Sequence, residues 1–448
     1  MALPHGFVES LQSIPSFHRE AFEAAHQGES PVSLRYSRVC REVKEAEGAV
    51  QVPWAQRAFT LSKRPLFVAD PLWHAGAYYV QEASSMFLDY VMLHFPKHEE
   101  PQVWLDMCAA PGGKSLILCD HLNEKDVLVS NEVIATRNAV LRENLVKWGN
   151  SRTVLTRSEA SAFSRAGACF DLVLADVPCS GSGLFRREPA LAKNWSRENV
   201  LFCADRHKKL LHELLPLVRN GGYLVYATCS FSSEENEDIL DYLAAYYSIK
   251  GVEIPIQKEW GIVSAATPVS GLPCYRFWPD RLQGEGFFMA VLQVENDSVQ
   301  QAGRTATGKS YTSALPASAR KGFSFFRDRE QVIISTAQAA AWQETFASKI
   351  EVRQWGLPVF DISKGMLQPL QGLATGGDCH HQYPTLELDL TEATAYLARQ
   401  VLPNQQGLSG YVQLQYQGIA LGFGKAVEKR INNLYPHAWR IRKHIDWL

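Results

Sequence analysis

The chain lacks several things that would have named a class at once. Its nine cysteines form no CxxC pair, which argues against a disulfide framework or a paired-thiol metal site and predicts reduced thiols in a cytoplasmic protein. No apolar run approaches the roughly 18–20 residues needed to cross a bilayer. The opening "MALPHGFVESLQSIP" has neither a basic start nor a long apolar stretch, so no secretory leader is expected. Net charge is only −2, which excludes a uniformly basic nucleic-acid binder and leaves local patches to do any such work. The GxGxxG dinucleotide fingerprint is missing. A phosphate-binding GxxxxGK[ST] loop fails too, because Cys108 stands where its first glycine should be. There is no internal repeat.

What is present fits a globular protein with a substantial core. The 448 residues are too many for one compact domain, and 46% are hydrophobic against 21% charged. Residues 1–72 mix short helical patterns with a strand-like "PVSLRYSRV". This segment carries Arg35, Arg38, Arg41, Arg57, Lys63 and Arg64, as an accessory RNA-binding unit would. Residues 73–295 alternate buried-strand patterns ("VWLDMC", "DVLVSNE", "RTVLT", "FDLVLADV", "GGYLVYATC") with helical ones ("GGKSLILCDHL", "ATRNAVLRENLVKWG", "NVLFCADRHKKLLHELLPLV"). Such alternation predicts an α/β fold around a mostly parallel sheet covered on both faces. Residues 296–320 are small and polar and read as a linker; 321–448 read as one or two small α/β units. "CHH" at Cys379–His381 reads as an exposed loop rather than a metal site, since three adjacent residues converge poorly on one ion.

"WLDMCAAPGGKSLILCD" is a strand, a tight turn and a helix start. Gly112 and Gly113 have no Cβ, so their amides can approach a ligand, and a helix N-terminus favours an anionic group. With nucleotide loops excluded, S-adenosylmethionine remains as the candidate cofactor. Its ribose diol needs a carboxylate at the end of the next strand, and Glu132 in "LVSNEV" is placed for that. Two further strand ends carry cysteines: Asp176 and Cys179 close "LVLADVPC", and Cys229 closes "YLVYATC". One such cysteine would be packing; two at equivalent strand ends beside a cofactor turn point to chemistry. A methyl transfer that needs a thiol is transfer to C5 of a pyrimidine. There a thiolate adding at C6 makes C5 nucleophilic, and an acid near N3, a role for Asp176, stabilises the charge. Two cysteines then have two jobs, attack and assistance with release.

The motifs "YVQEASSM", "DMCAAPGGKS", "SNE", "DLVLADVPCSGSGLFRR" and "LVYATCSFSSEENED", in order over about 220 residues, resemble those of the NOL1/NOP2/Sun family of S-adenosylmethionine-dependent RNA cytosine-C5 methyltransferases. The resemblance implies a Rossmann-like class I methyltransferase sheet. "GAYYVQEASSM" and the basic "GFGKAVEKRINNLYP" further resemble its bacterial ribosomal-RNA branch, which carries a C-terminal PUA-like region. It implies Cys229 as the attacking nucleophile, Cys179 in product release and Asp176 at the base. Cofactor contacts fall at Cys108, Ala109, Ala110, Pro111, Gly112, Gly113, Lys114, Glu132 and Asp176, with Lys114 also counted in the catalytic set. Glu159 stands where the family has an aspartate near the adenine, and His207 where glutamine is commoner.

Residues 424–444 place Lys425, Lys429, Arg430, Arg440, Arg442 and Lys443 around Tyr435 and Trp439, a pattern for holding phosphate and stacking bases. Arg186 and Arg187, just past Cys179, are expected to meet the target strand. The expected partner is RNA, ribosomal RNA or the small subunit, acted on by a monomer without membrane or metal. Rival readings are a transfer-RNA methylase, a DNA cytosine methylase and a non-catalytic assembly factor. A DNA enzyme would carry a Glu-Asn-Val element after Cys179, and none is present.

Overall fold

A computed structural model describes residues 3–40, 48–295, 310–311 and 313–442. Arg41, Lys443 and most of the expected linker lie outside the described residues.

The N-terminal sheet runs in the order β2-β3-β1-β4, with β1 Val32–Tyr36, β2 Val50–Gln51, β3 Ala58–Leu61 and β4 Tyr78–Val80. Because β4 pairs with β1, this unit closes beyond residue 72. The short helices Phe7–Ser10 and Arg19–Ala25 precede it.

The central sheet has ten strands. Five are parallel: β5 Val103–Asp106, β6 Val127–Asn131, β7 Thr153–Thr156, β8 Phe170–Asp176 and β9 Val218–Thr228, in the order β7-β6-β5-β8-β9. Beyond β9 comes an antiparallel wing of β10 Ile249–Gly251, β11 Val263–Ala266, β12 Pro273–Phe277 and β13 Phe287–Val294. Strand alternation sends Leu105, Val129 and Val173 into one apolar layer, under the helices Ala160–Ala166, Arg197–Leu214 and Glu237–Tyr246. Trp104, Leu128, Leu172 and Leu174 enter the opposite layer, under the helix Gly113–His121. Both faces are therefore dry, which is why these strands read as continuous apolar runs.

The C-terminal segment holds β14 Ala317–Ala319, β15 Ser324–Asp328, β16 Gln331–Ser335, β17 Val352–Trp355, β18 Leu357–Ser363, β19 Met366–Pro369 and β20 Cys379–His381, then β21 Thr385–Glu387, β22 Leu402–Pro403, β23 Gly410–Tyr416, β24 Ile419–Val427 and β25 Arg430–Asn433. It forms a β14-β20 pair, a β15-β16-β18-β19 sheet and a β21-β23-β24-β25-β22 sheet. It is not a separate appendage. β17 pairs antiparallel with β7 and covers an edge the central sheet would otherwise leave open. "CHH" is β20, paired with β14, with Cys379 buried, rather than a loop. Lys147, on the helix Ala135–Trp148, holds its ammonium over Trp73 of the N-terminal part and Trp439 of the C-terminal part.

Candidate active site

The parallel order reverses direction between β5 and β8, and a doubly wound sheet opens a crevice at that point, outside the carboxyl ends of its strands. Asp106 ends β5, and the turn from Cys108 to Lys114 follows it. Gly112 sits at φ +124°, open to glycine alone at no strain. Gly113 is crowded by the chain itself: a Cβ there would lie 3.1 Å from Tyr79 and 3.2 Å from Gln81. Its small size thus serves packing of β4 and its neighbours as well as ligand approach.

Lys114 reaches across to Asp176 at the end of β8, Nζ to Oδ2 2.8 Å. Burial works against the lysine's charge, but Asp176 outweighs it and raises the pKa, with the Cys229 sulfur adding to the effect. Cys108 is held protonated, mainly by burial and then by the carboxylates of Asp106, Asp176 and Glu132. Glu132 is buried after β6; its Oε1 accepts the Ile134 amide at 2.9 Å and its Oε2 lies 3.3 Å from Arg137. Glu159 lies after β7, exposed, its carboxylate without a hydrogen bond among the described residues.

Asp106 was not singled out in the sequence. It is fully buried; Oδ2 accepts from Ser115 Oγ at 2.6 Å, while Oδ1 has no partner. Burial pushes its carboxyl up to about 7, against the Ser115 hydrogen bond and with help from Asp176. A buried carboxylate oxygen left without a partner at the start of this turn needs a donor that the described residues do not supply. Its position as the last residue of the strand before the turn was the available signal.

Cys179 and Cys229, fifty residues apart, meet with their sulfurs 2.9 Å apart. The Cys179 thiol is pushed up by its hydrogen bond to Cys229, then by burial. Gly183, in the "SGSG" turn, explains how the loops close. Its amide donates to the Cys229 carbonyl at 2.8 Å, and a Cβ there would lie 2.7 Å from that oxygen and 2.3 Å from the Gly286 carbonyl. His207 lies directly behind the pair. Its Nε2 contacts the Pro178 carbonyl at 3.0 Å, Nδ1 meets the Tyr226 hydroxyl at 2.9 Å, and burial pushes it down to about 4, a neutral brace. The N-terminal helices buttress both loops from below: Phe7 packs on Phe185 and Phe22 on Phe231, each at 5.1 Å.

The adjacent arginines part company. Arg186 does not face outward as expected; its side chain is 7% exposed and paired with Glu285 at 3.1 Å. Glu285 is itself buried and needs a cation, so Arg186 joins the loop before β13 to the N-terminal helices rather than meeting a nucleic acid. Arg187 is exposed beside Glu188. The basic C-terminal stretch opens as a hairpin: Lys425 lies on β24, Lys429 in the turn and Arg430 on β25, all exposed, as are Arg440 and Arg442. Tyr435 cannot stack on a base, being fully buried 5.4 Å from Tyr396, and Trp439 is half-buried against the same core.

A separate cleft of about 1300 Å³ lies at the far end of the helix Gly113–His121, lined by Tyr36, Asp120, Trp148 and the glutamines of β23. None of the cysteine-pair or cofactor-turn residues lines it. Among the described residues no helix is long and apolar enough to cross a membrane, and no group of three His, Cys, Asp or Glu is placed to hold a metal ion.

The fold and the crevice define a Rossmann-like methyltransferase. Three family descriptions match in chain order: "N-terminal domain of 16S rRNA methyltransferase RsmF" over residues 3–83, "16S rRNA methyltransferase RsmB/F" over 91–293 and "Methyltransferase RsmF PUA domain" over 383–441. Along most of its length the chain is therefore similar to the RsmF-type branch of the RsmB/F rRNA methyltransferases. It is 28% identical to the ribosomal RNA small subunit methyltransferase F of an Enterobacter species, over 96% of this chain and 93% of the relative. It is also 28% identical to that of Vibrio campbellii, over 97% of each. A methyltransferase homolog from Pyrococcus horikoshii superposes with TM-score 0.54 at 26% identity, covering 64% of this chain and 93% of the other. A structure of NSun6 from the same organism, with SFG, shares the fold at TM-score 0.54 and 18% identity, covering 66% of this chain and 99% of the other.

Proposed function

We propose that the protein methylates C5 of a cytosine in small-subunit ribosomal RNA, with S-adenosylmethionine as donor and a transient bond between Cys229 and C6 of the base. The observation that carries this reading is the thiol pair, 2.9 Å apart, at the ends of β8 and β9 beside the Lys114–Asp176 pair. The names of the relatives support ribosomal RNA as the substrate. The residues suit the cofactor: the buried, unpartnered Oδ1 of Asp106 would take its ammonium, Glu132 its ribose hydroxyls, and the turn from Cys108 to Gly113 its amino-acid end. When bound, that cofactor supplies an electrophilic methyl group.

The residues divide the remaining work. The Cys229 thiolate forms the S–C6 bond, and the C5=C6 electron pair shifts onto the ring. Asp176, held by Lys114, acts at N3 in its acid form: it gives N3 a proton as negative charge develops there and takes it back when the ring double bond re-forms. After C5 has accepted the methyl group, the C5 proton passes to a base. The ring double bond re-forms and the S–C6 bond breaks. Cys179, whose thiol is held protonated against the Cys229 sulfur, supports that sulfur as it leaves. A cytosine inside a helix must be flipped out to reach the pair. Arg187, Lys425, Lys429 and Arg430 are the exposed cations available to hold phosphate.

The test uses labelled cofactor and ribosomal RNA. Cys229→Ala should abolish transfer. Cys179→Ala should accumulate a protein–RNA adduct that survives denaturant on a gel. An adduct in Cys229→Ala instead would reverse the two roles. Labelling of transfer RNA alone would refute the ribosomal substrate.

A further inference from the structure

We infer that Glu235 is a positioning residue that ties the two cysteine loops together and sets the distance between their sulfurs. The inference rests on the reading that Cys179 and Cys229 are the reacting groups. Glu235 stands six residues past Cys229, in the turn before the helix Glu237–Tyr246. It is fully buried, and among the described residues no cation lies within ion-pair distance of it. Its carboxylate is occupied by the two residues that follow the cysteines. Oε1 accepts the Ser180 amide at 2.7 Å, and Oε2 accepts both the Ser180 and the Ser230 hydroxyl at 2.5 Å. One side chain thereby grips the residue after Cys179 and the residue after Cys229.

A buried carboxylate without a counter-charge is costly, and burial raises its pKa. Three donors from two loops satisfy it. The next residue extends the clamp: Asn236 donates to the Ser230 carbonyl at 2.8 Å and accepts from Thr228 Oγ1 at 2.6 Å. The Tyr226 hydroxyl lies within hydrogen-bond distance of both the Glu235 carbonyl and Nδ1 of His207, which braces Pro178. Among the described residues the loops have no other carboxylate in common. Nothing in this arrangement touches the turn from Cys108 to Lys114, so the clamp bears on the thiols and not on cofactor binding.

Three variants test this. Glu235→Ala removes the acceptor that three buried donors share, leaving the two hydroxyls a long contact with each other at 3.3 Å, and lets the loops part. Glu235→Gln keeps the bridge, its oxygen taking the Ser180 amide and its amide donating to the two hydroxyls. The double variant Ser180→Ala, Ser230→Ala removes the hydroxyls and leaves the carboxylate. Since a misplacement of about 1 Å costs on the order of 100-fold in rate, kcat should fall about that far in Glu235→Ala and recover to within roughly tenfold in Glu235→Gln, with the cofactor dissociation constant unchanged in both. The double variant should fall between them.

A second readout does not depend on the methylation reaction. The diazene oxidant diamide converts two neighbouring thiols to a disulfide while itself being reduced to the hydrazine. The rate at which the Cys179–Cys229 disulfide forms should drop in Glu235→Ala and be regained in Glu235→Gln. An unchanged disulfide rate in Glu235→Ala would overturn the inference. So would a loss of melting temperature, cofactor affinity and kcat together in Glu235→Ala and Glu235→Gln alike. If Glu235 controls the disulfide rate but Cys229→Ala still methylates RNA, the positioning role stands and the thiol mechanism falls.

Discussion

If Asp106 takes the ammonium of S-adenosylmethionine as proposed, cofactor binding becomes a proton-linked event. Its carboxyl is fully buried and pushed up to about 7, so near neutral pH it holds a proton about half the time. An ammonium reaching the buried, unpartnered Oδ1 would bind the carboxylate and not the acid, so binding would expel that proton. The sign follows directly. Affinity is full above pH 7 and falls as pH drops, because the acid form must first ionise. At pH 5 only about one molecule in a hundred is ionised, against half at pH 7, so affinity should fall about 50-fold, or ~2.3 kcal/mol. The same raised pKa acts oppositely on the unliganded fold, since the folded form binds more protons than the unfolded one between about pH 4 and 7, and stability from this group declines as pH rises. Isothermal titration of S-adenosylmethionine from pH 5 to 8, in two buffers of different ionisation enthalpy, reads the affinity and the proton count together. Asp106→Asn keeps an oxygen at the site but cannot ionise. It should bind more weakly at pH 8 and show no proton release. A pH-independent wild-type affinity, or the same proton release from Asp106→Asn, would refute the reasoning.

Gly183→Ala should damage the thiol pair while sparing the cofactor site. Its Cβ would collide with the Cys229 and Gly286 carbonyls, an overpacking cost of about 1–3 kcal/mol, so the melting temperature and kcat should drop while cofactor affinity holds. Replacing Lys425, Lys429 and Arg430 together with alanine should weaken RNA binding and lower the slope of log affinity against log salt by about 2. An unchanged slope, measured by filter binding across salt concentrations, would remove the hairpin from the RNA surface.

Much of the central domain was legible because local chemistry dictates it. Each parallel strand coincides with an apolar run, since both faces of that sheet are covered. The tight turn after β5 was legible because its glycines stand in the sequence, and Gly112 adopts φ +124°, which favours glycine. Less legible was anything that depends on a distant partner. β17 shows no sign in its own sequence that it will complete the central sheet, because strand pairing is a relation between two segments. Tyr435 could stack on a base or pack beneath the basic residues, and it packs inside, a choice that depends on the distant Tyr396 it meets. Glu235 reads as one more acid in "SSEENED"; only the meeting of Ser180 and Ser230 around it gives it work.

The sequence by itself determined that a glycine turn follows one buried strand and that two other strands end in cysteines. These are properties of residues a few positions apart. The tertiary structure decided that β8 and β9 lie side by side, and this brings two sulfurs fifty residues apart to 2.9 Å. It also decided the fates of Arg186 and Arg187, neighbours of identical chemistry. One is turned inward to Glu285, ninety-nine residues along the chain, and the other remains in solvent. The reason is the same in both cases. A buried charge or thiol takes its character from the groups that folding brings around it, and those come from elsewhere in the chain.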